Sequence, residues 1–286
     1  MRFLMLGLIL LLLAPSLAFA TEMQIPAHET ITVVADEWCP YNCGEKDSKQ
    51  GYMVEIVRAA FKKANIDVIY KVIPWAEAIT RTRAGEFDAL FGSSHGDAPD
   101  FIFPDILQGI SLSQFWVNKD SKWVYDGTAS LKGLRLGIVQ DYSYGKVMDA
   151  YLKRPESERK VTLVVATGSD ATRKNVDALL SGKLDAILED RNVIQYYFAS
   201  RHLPMPFKYA GNAIDMDHIA DTFVYIAFGP NKPKAREYSD ILSQGLKEMR
   251  RNGELKEILS RYSVSETYRY IGSDNDNVSF VADPGR

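Results

Sequence analysis

Gly85-Glu-Phe-Asp-Ala-Leu-Phe-Gly-Ser-Ser94 decides the fold, because its pattern returns 97 residues later as Gly182-Lys-Leu-Asp-Ala-Ile-Leu-Glu-Asp190. Each copy has a Gly, a polar residue, one apolar residue, Asp-Ala, and then an apolar pair bounded by small or polar residues. A Gly of this kind ends a helix, and the short apolar run that follows reads as a buried parallel strand. In an open parallel sheet, ligands sit beyond the carboxyl ends of the strands. Those ends are Gly92-Ser93-Ser94 in one copy and Glu189-Asp190 in the other. Two copies imply two similar lobes, and strand ends that face each other hold something between them.

Working outward, Thr30–Ala35 alternates and is rich in β-branched residues, so it predicts a strand ending at Asp36-Glu37-Trp38. Met53, Ile56, Val57, Ala60 and Phe61 recur at helical spacing. A strand over Val68–Ile73, a helix over Trp75–Ala84 and a strand over Phe87–Phe91 complete a β-α-β-α-β unit with right-handed crossovers. Ile110–Asn118 is extended and apolar, and Lys119-Asp120-Ser121 reads as a lobe boundary. The unit then repeats: a strand at Leu134–Val139, a loop Asp141-Tyr-Ser-Tyr-Gly145 leading into a helix, and a strand at Val161–Ala166. A helix to Ser181 and the strand Leu184–Leu188 close the second unit. Helix 190–202, strand Phe223–Phe228 and two final helices reaching Tyr262 suggest that the chain crosses back to finish the first lobe. The polar tail 263–286 is expected on the surface.

Met1-Arg2, the apolar run Phe3–Ala14 and Ala18-Phe19-Ala20 describe a cleavable secretory signal over 1–20 rather than a membrane span. No Cys follows the cleavage site, which argues against a lipid anchor. Removing Arg2 takes the formal net charge from -3 to -4, and no basic stripe suggests a nucleic-acid partner. The roughly 265 residues left exceed one typical core and suit two lobes.

Cys39 and Cys43 are the chain's two cysteines, and a secreted location permits a bridge across Cys-Pro-Tyr-Asn-Cys. So small a loop contributes about 2 kcal/mol at most, and its larger effect is to fix Trp38 and Tyr41. A free thiol pair or a metal site are the alternatives, but His28, His95, His202 and His218 lack metal-site spacing. No nucleophile triad, phosphate-binding Gly-rich loop or cofactor motif appears.

The order of Gly51-Tyr-Met-Val-Glu-Ile56, Pro74-Trp75, Gly85-Glu-Phe-Asp-Ala89, Leu131-Lys-Gly-Leu-Arg-Leu-Gly-Ile-Val139, Ser181-Gly-Lys-Leu-Asp-Ala186 and Asn252-Gly-Glu-Leu-Lys256 resembles the family 3 periplasmic solute-binding proteins. These are amino-acid-binding receptors of ABC importers, and the resemblance spans about Thr30 to Tyr262. It implies an α/β, two-lobed type II periplasmic-binding-protein fold. Each lobe is a mixed, mainly parallel sheet flanked by helices, and two hinge crossings join them. Residues 21–118 and 222–286 form the first lobe on this reading and 119–221 the second, with crossings near Asn118–Ser121 and Met216–Thr222. It also implies a periplasmic, monomeric protein with no cofactor, which closes on a small solute and is read by an inner-membrane permease. Driving such a hinge from almost always open to almost always closed takes about 5.5 kcal/mol of preference, supplied by contacts to both lobes at once.

The resemblance carries over a ligand site of Trp38, Tyr41 and Trp75 as aromatic contacts and Gly92, Ser93 and Ser94 as small or hydroxyl contacts. In the second lobe it adds Tyr142-Ser143-Tyr144 at a helix-opening turn whose amides favour anionic groups, and Asp190 as partner of the ligand's amino group, with a plain helix cap as the alternative role for each. Glu189, adjacent on an extended strand, is expected to point the other way. The departure lies after the third strand, where relatives carry an Arg that grips the α-carboxylate. Here Ser94-His95-Gly96-Asp97-Ala98-Pro99-Asp100 has none, and His95 is a weak substitute. Asp36, Glu37, Asp97, Asp141, Glu189 and Asp190 stand against His95 and Arg191. A standard α-amino acid therefore does not follow, and a cationic or neutral polar ligand is expected as an alternative. Two further readings are an enzyme resembling cyclohexadienyl dehydratases, with Glu189 or Asp190 as general acid, and a sensory adaptor presenting its closed form to a membrane receptor. The first suits a cleft without Arg poorly, because its substrate carries carboxylates.

Overall fold

The computed structural model describes residues 28–214 and 220–264. The expected signal over 1–20, residues 216–219 of the second expected crossing, and the tail from 265 lie outside the described residues. One five-stranded sheet has the order β2 (Ile66–Val72), β1 (Glu29–Ala35), β3 (Ala89–Ser93), β10 (Phe223–Phe228), β4 (Gly109–Ile110). The other has the order β7 (Thr162–Ala166), β6 (Arg135–Val139), β8 (Ala186–Asp190), β5 (Ser113–Asn118), β9 (Phe207–Asn212). In each, a central strand pairs parallel on both sides, β1 with β2 and β3, and β6 with β7 and β8. The strand added next to that trio, β10 or β5, runs antiparallel.

The repeated motif does the same work in both sheets. Helix α2 (Trp75–Arg83) and, after the short helices α3 (Lys146–Leu152) and α4 (Glu156–Arg159), helix α5 (Ala171–Leu180) stop before Gly85 and Gly182, whose φ of +86° and +69° suit a residue without Cβ. The Asp of each motif then clamps the neighbouring strand. Asp88 Oδ2 accepts from Thr32 N at 2.7 Å while Asp88 N donates to Thr32 O at 2.9 Å. Asp185 Oδ2 accepts from Arg135 N at 2.8 Å while Asp185 N donates to Arg135 O at 2.9 Å.

Helix α1 (Tyr52–Lys63) buries Met53, Ile56, Val57, Ala60 and Phe61, each large one contributing about 1.5–3 kcal/mol. It packs against helix α7 (Ala235–Asn252). Helix α8 (Glu254–Ser260) brings Tyr262 back to the same lobe, where its hydroxyl accepts from Gly51 N at 3.0 Å. Both ends of the described chain thus build the first lobe.

One boundary differs from expectation. The apolar run Ile110–Asn118 is not a strand of the first lobe leading to a crossing at Asn118–Ser121, because Ser113–Asn118 pairs with β8 and β9 in the second sheet. The chain changes sheets at Ser111-Leu112, between β4 and β5. There Ser111 N donates to Thr222 O at 2.7 Å, which joins the outgoing and returning segments side by side. Nothing local in Ile-Ser-Leu-Ser-Gln-Phe-Trp-Val-Asn marks the break, because the whole run can be extended and what changes at Ser111-Leu112 is the pairing partner. Among the described residues no helix is long and apolar enough to cross a membrane.

Candidate functional site

The carboxyl ends of β1, β3 and β8 meet across a cleft that is closed in this structure. Trp38 Nε1 donates to Glu189 Oε1 at 3.0 Å, Tyr142 Oη to Asp36 Oδ2 at 2.7 Å, and Trp75 Nε1 to Asp141 O at 3.1 Å. The cavity between these contacts measures about 40 Å³, room for roughly three water molecules.

The disulfide Cys39–Cys43 (S–S 2.05 Å) closes the loop after β1, in which the Cys39–Pro40 peptide is cis. This loop sets Trp38 at the cavity wall and Tyr41 behind it, the two rings stacked at 4.0 Å. Gly92 makes room for the indole: a Cβ there would lie 3.1 Å from the Trp38 ring. Trp38 and Trp75 both meet the Tyr142 ring edge-on, at 6.4 and 6.0 Å.

Of the expected site residues, Trp38, Trp75, Gly92, Ser94, Tyr142, Ser143, Tyr144 and Asp190 line the cavity. Tyr41 and Ser93 do not. Tyr41 is fully buried, its hydroxyl donating to Ile110 O at 2.6 Å and accepting from Asn192 Nδ2 at 3.0 Å. Ser93 is likewise buried and donates to Ser94 O, because alternate residues of a strand face opposite ways. His95 stacks on Phe103 at 3.9 Å and meets Tyr225 edge-on, away from the cavity.

The two acids at the end of β8 have different surroundings from those expected. Asp190 caps helix α6 (Arg191–Ala199) by accepting from Val193 N at 3.0 Å, and its other oxygen holds the crossing through Leu112 N at 2.8 Å. Glu189 is the acid that reaches across to the first lobe. It accepts from Trp38, from its neighbour's Asp190 N at 2.9 Å, and from Thr172 Oγ1 at 2.8 Å. A strand turning into a helix abandons strict alternation, which is why both neighbours face inward.

Sequence reasoning did not single out Asn42, Ser111 or Asp221, which also line the cavity. Asn42 sits beside Tyr41 in the disulfide loop, a position the spacing of the cysteines already pointed to. Asp221 lies in the returning segment and accepts from Lys146 N at 2.7 Å. Glu37 and Asp141, counted by sequence among the cleft acids, are not part of the cavity wall. Among the described residues, Asp36, Asp97, Glu189, Asp190 and Asp221 line it with no Lys, Arg or His.

Burial pushes the carboxyls of Asp36 and Glu189 up to about 7, and those of Asp97 and Asp190 up to about 6. The Tyr142 hydroxyl pulls Asp36 back down, while Glu189 and Asp97 repel its charge. Among the described residues no cluster of His, Cys, Asp and Glu is disposed to hold a metal ion.

This fold and interlobe cleft define a two-lobed solute-binding protein. The sequence profile of the bacterial extracellular solute-binding proteins, family 3, matches residues 31–265, and the chain belongs to that family. It is 22% identical over 228 residues to the probable amino-acid-binding protein YxeM of Bacillus subtilis, covering 78% of this chain and 79% of the relative. Among solved structures, an ancestral arginine-binding protein bound to arginine superposes with a TM-score of 0.64 at 18% identity, over 82% of this chain and 97% of that one. A histidine kinase sensor domain with similarity to periplasmic binding proteins gives 0.63 at 21% identity, over 82% and 96%. The family is one of extracellular binding proteins that serve small-molecule uptake.

Proposed function

We propose that this protein captures a small cationic or neutral polar solute between its lobes in the periplasm and delivers it, as a monomer and without catalysis, to an ABC permease. The observation that carries the reading is the cavity wall, where five acidic side chains meet no basic one. A buried cation needs a carboxylate partner, and a buried anion has none to meet here. The arginine bound by one structural relative supports a cationic guest. Calorimetric titration with cationic, neutral and acidic small solutes tests it: heat is expected from the first two groups, and tight binding of glutamate or aspartate overturns the reading. The likeness to a kinase sensor domain supports a second reading, in which the closed form is presented to a sensor. Genes for a permease and ATPase, or for a sensor, beside this one separate the two.

A further inference from the structure

The family resemblance puts a guest's anionic group at the turn 141–145, ahead of the short helix Lys146–Leu152. In this chain three amides there meet the protein's own acids. Ser143 N donates to Asp97 Oδ1 at 2.8 Å, Tyr144 N to Asp149 Oδ1 at 2.8 Å, and Lys146 N to Asp221 Oδ2. Asp97 comes from the opposite lobe, where its other oxygen accepts from Ser94 N at 2.7 Å and Ser94 Oγ at 2.6 Å. It therefore puts a carboxylate of the chain's own between the two lobes.

Three side-chain donors at the cavity wall are spent in the same way: Trp38 Nε1 on Glu189, Trp75 Nε1 on Asp141 O, and the Tyr142 hydroxyl on Asp36. What the wall offers is acceptors. Besides the carboxylates there is Asn42 Oδ1, on a side chain only 1% exposed, which lines the cavity with no hydrogen-bond partner among the described residues. A buried acceptor without a donor is costly and marks a place for a guest N–H.

We propose that the guest is an amine or guanidine that carries no carboxylate of its own, Asp97 holding from within the chain the seat against Ser143 that a guest carboxylate would need. This deepens, and rests on, the reading of the protein as a receptor for a polar solute. A guest carboxylate would meet Asp36, Asp97 and Glu189 with no Lys, Arg or His among the described lining residues to offset the repulsion. An ammonium or guanidinium finds those same acids and Asn42 Oδ1. The small cavity favours a short amine, and longer ones hold the lobes further apart.

Calorimetric titration of the whole protein with matched pairs differing in one carboxylate tests this: ethylamine against alanine, 1,5-diaminopentane against lysine, and 4-aminobutylguanidine against arginine. At least one amine is expected to bind tenfold or more tightly than its amino acid. An amino acid that binds as well as or better than its amine overturns the inference and leaves solute capture standing. Binding of no member of any pair, or of calcium ion alone, overturns the inference together with the reading of a cationic organic guest. In Asp97→Ala the Ser143 amide is released, and the preference for amine over amino acid is expected to fall at least tenfold. Asp97→Asn, which keeps the shape and removes the charge, is expected to shift the preference the same way, and an unchanged preference in a folded variant counts against the role of Asp97.

Discussion

The indole of Trp38, held by the disulfide loop after β1, donates to the carboxyl of Glu189 at the end of β8, 3.0 Å away. Residues 151 positions apart thereby tie the two lobes together inside the cavity. Glu189 is buried with no basic neighbour at the cavity wall, and burial pushes its carboxyl up to about 7, so above that range it carries a charge across the lobe boundary that only a guest cation can meet. Glu189→Gln keeps an oxygen for Trp38 and removes the charge. Calorimetry is expected to show affinity for the best-binding cationic solute reduced about 10–100-fold, the range of a lost charged hydrogen bond of about 1.5–3 kcal/mol, with the circular dichroism spectrum unchanged. An unaltered affinity would place the cation elsewhere.

Closure depends on close approach at Gly96. A Cβ there would stand 2.4 Å from Ser143 Oγ and 3.1 Å from Ser143 Cβ on the other lobe. Ser143 cannot easily yield, because its hydroxyl donates to Asp149 Oδ2 at 2.6 Å. Gly96→Ala is therefore expected to wedge the lobes apart, enlarging the radius of gyration of the guest-saturated protein and weakening binding roughly tenfold or more. Wild-type dimensions and affinity in this variant would refute the wedge.

Acid favours the empty closed form. Burial raises Asp36 and Glu189 from 3.8 and 4.5 to about 7. The groups facing them are Tyr142, Asp97, Trp38, Thr172 and one another. A carboxyl raised in this way is held neutral by the closed protein, so its contribution is complete below about pH 4 and fades as pH climbs through about 7. Opening the cleft rehydrates both groups and relieves the penalty. Small-angle scattering of the empty protein is expected to give a larger radius at pH 8.5 than at pH 5, while a cationic guest binds more tightly at the higher pH and releases protons near neutrality. A radius independent of pH would contradict this.

The two motif aspartates differ in worth. Asp88 has a side chain only 16% exposed and accepts from Thr32 N, whereas the Asp185 side chain, at 36%, accepts from Arg135 N near the surface. Asp88→Ala strands a backbone N–H and is expected to cost about 1–3 kcal/mol in urea denaturation. Asp185→Ala is expected to cost under about 1 kcal/mol. The two sites lie in different sheets, so the double variant should show the sum. Equal costs, or a strongly non-additive pair, would be inconsistent with this assignment.

Much of this architecture is legible in the chain because it is written twice. The Gly–Asp–Ala motif marks where each helix stops and each buried strand starts, and its repeat at 97 residues locates both walls of the cleft. The acidity of the site and the absence of a carboxylate-gripping Arg are likewise plain from residue identities. Side-chain direction is less so. Tyr41 and Trp38 are both aromatic and three residues apart, and only the stacking of one on the other decides which faces the guest. Asp190 reads equally as a cation's partner or a helix cap, and its two oxygens are engaged by the helix it caps and the crossing it holds. The seat of Asp97 against Ser143 joins residues 46 apart on separate lobes, and nothing local in either segment announces the other.

Scattering at pH 8 with and without saturating amine tests the central claim, that a cationic guest held by both lobes draws them together. The account predicts that 1,5-diaminopentane, ethylamine or 4-aminobutylguanidine reduces the radius of gyration of the wild-type protein, and that Glu189→Gln needs about 10–100-fold more amine to reach the same radius. Scattering curves that stay the same for the wild-type protein with every one of these amines would contradict it.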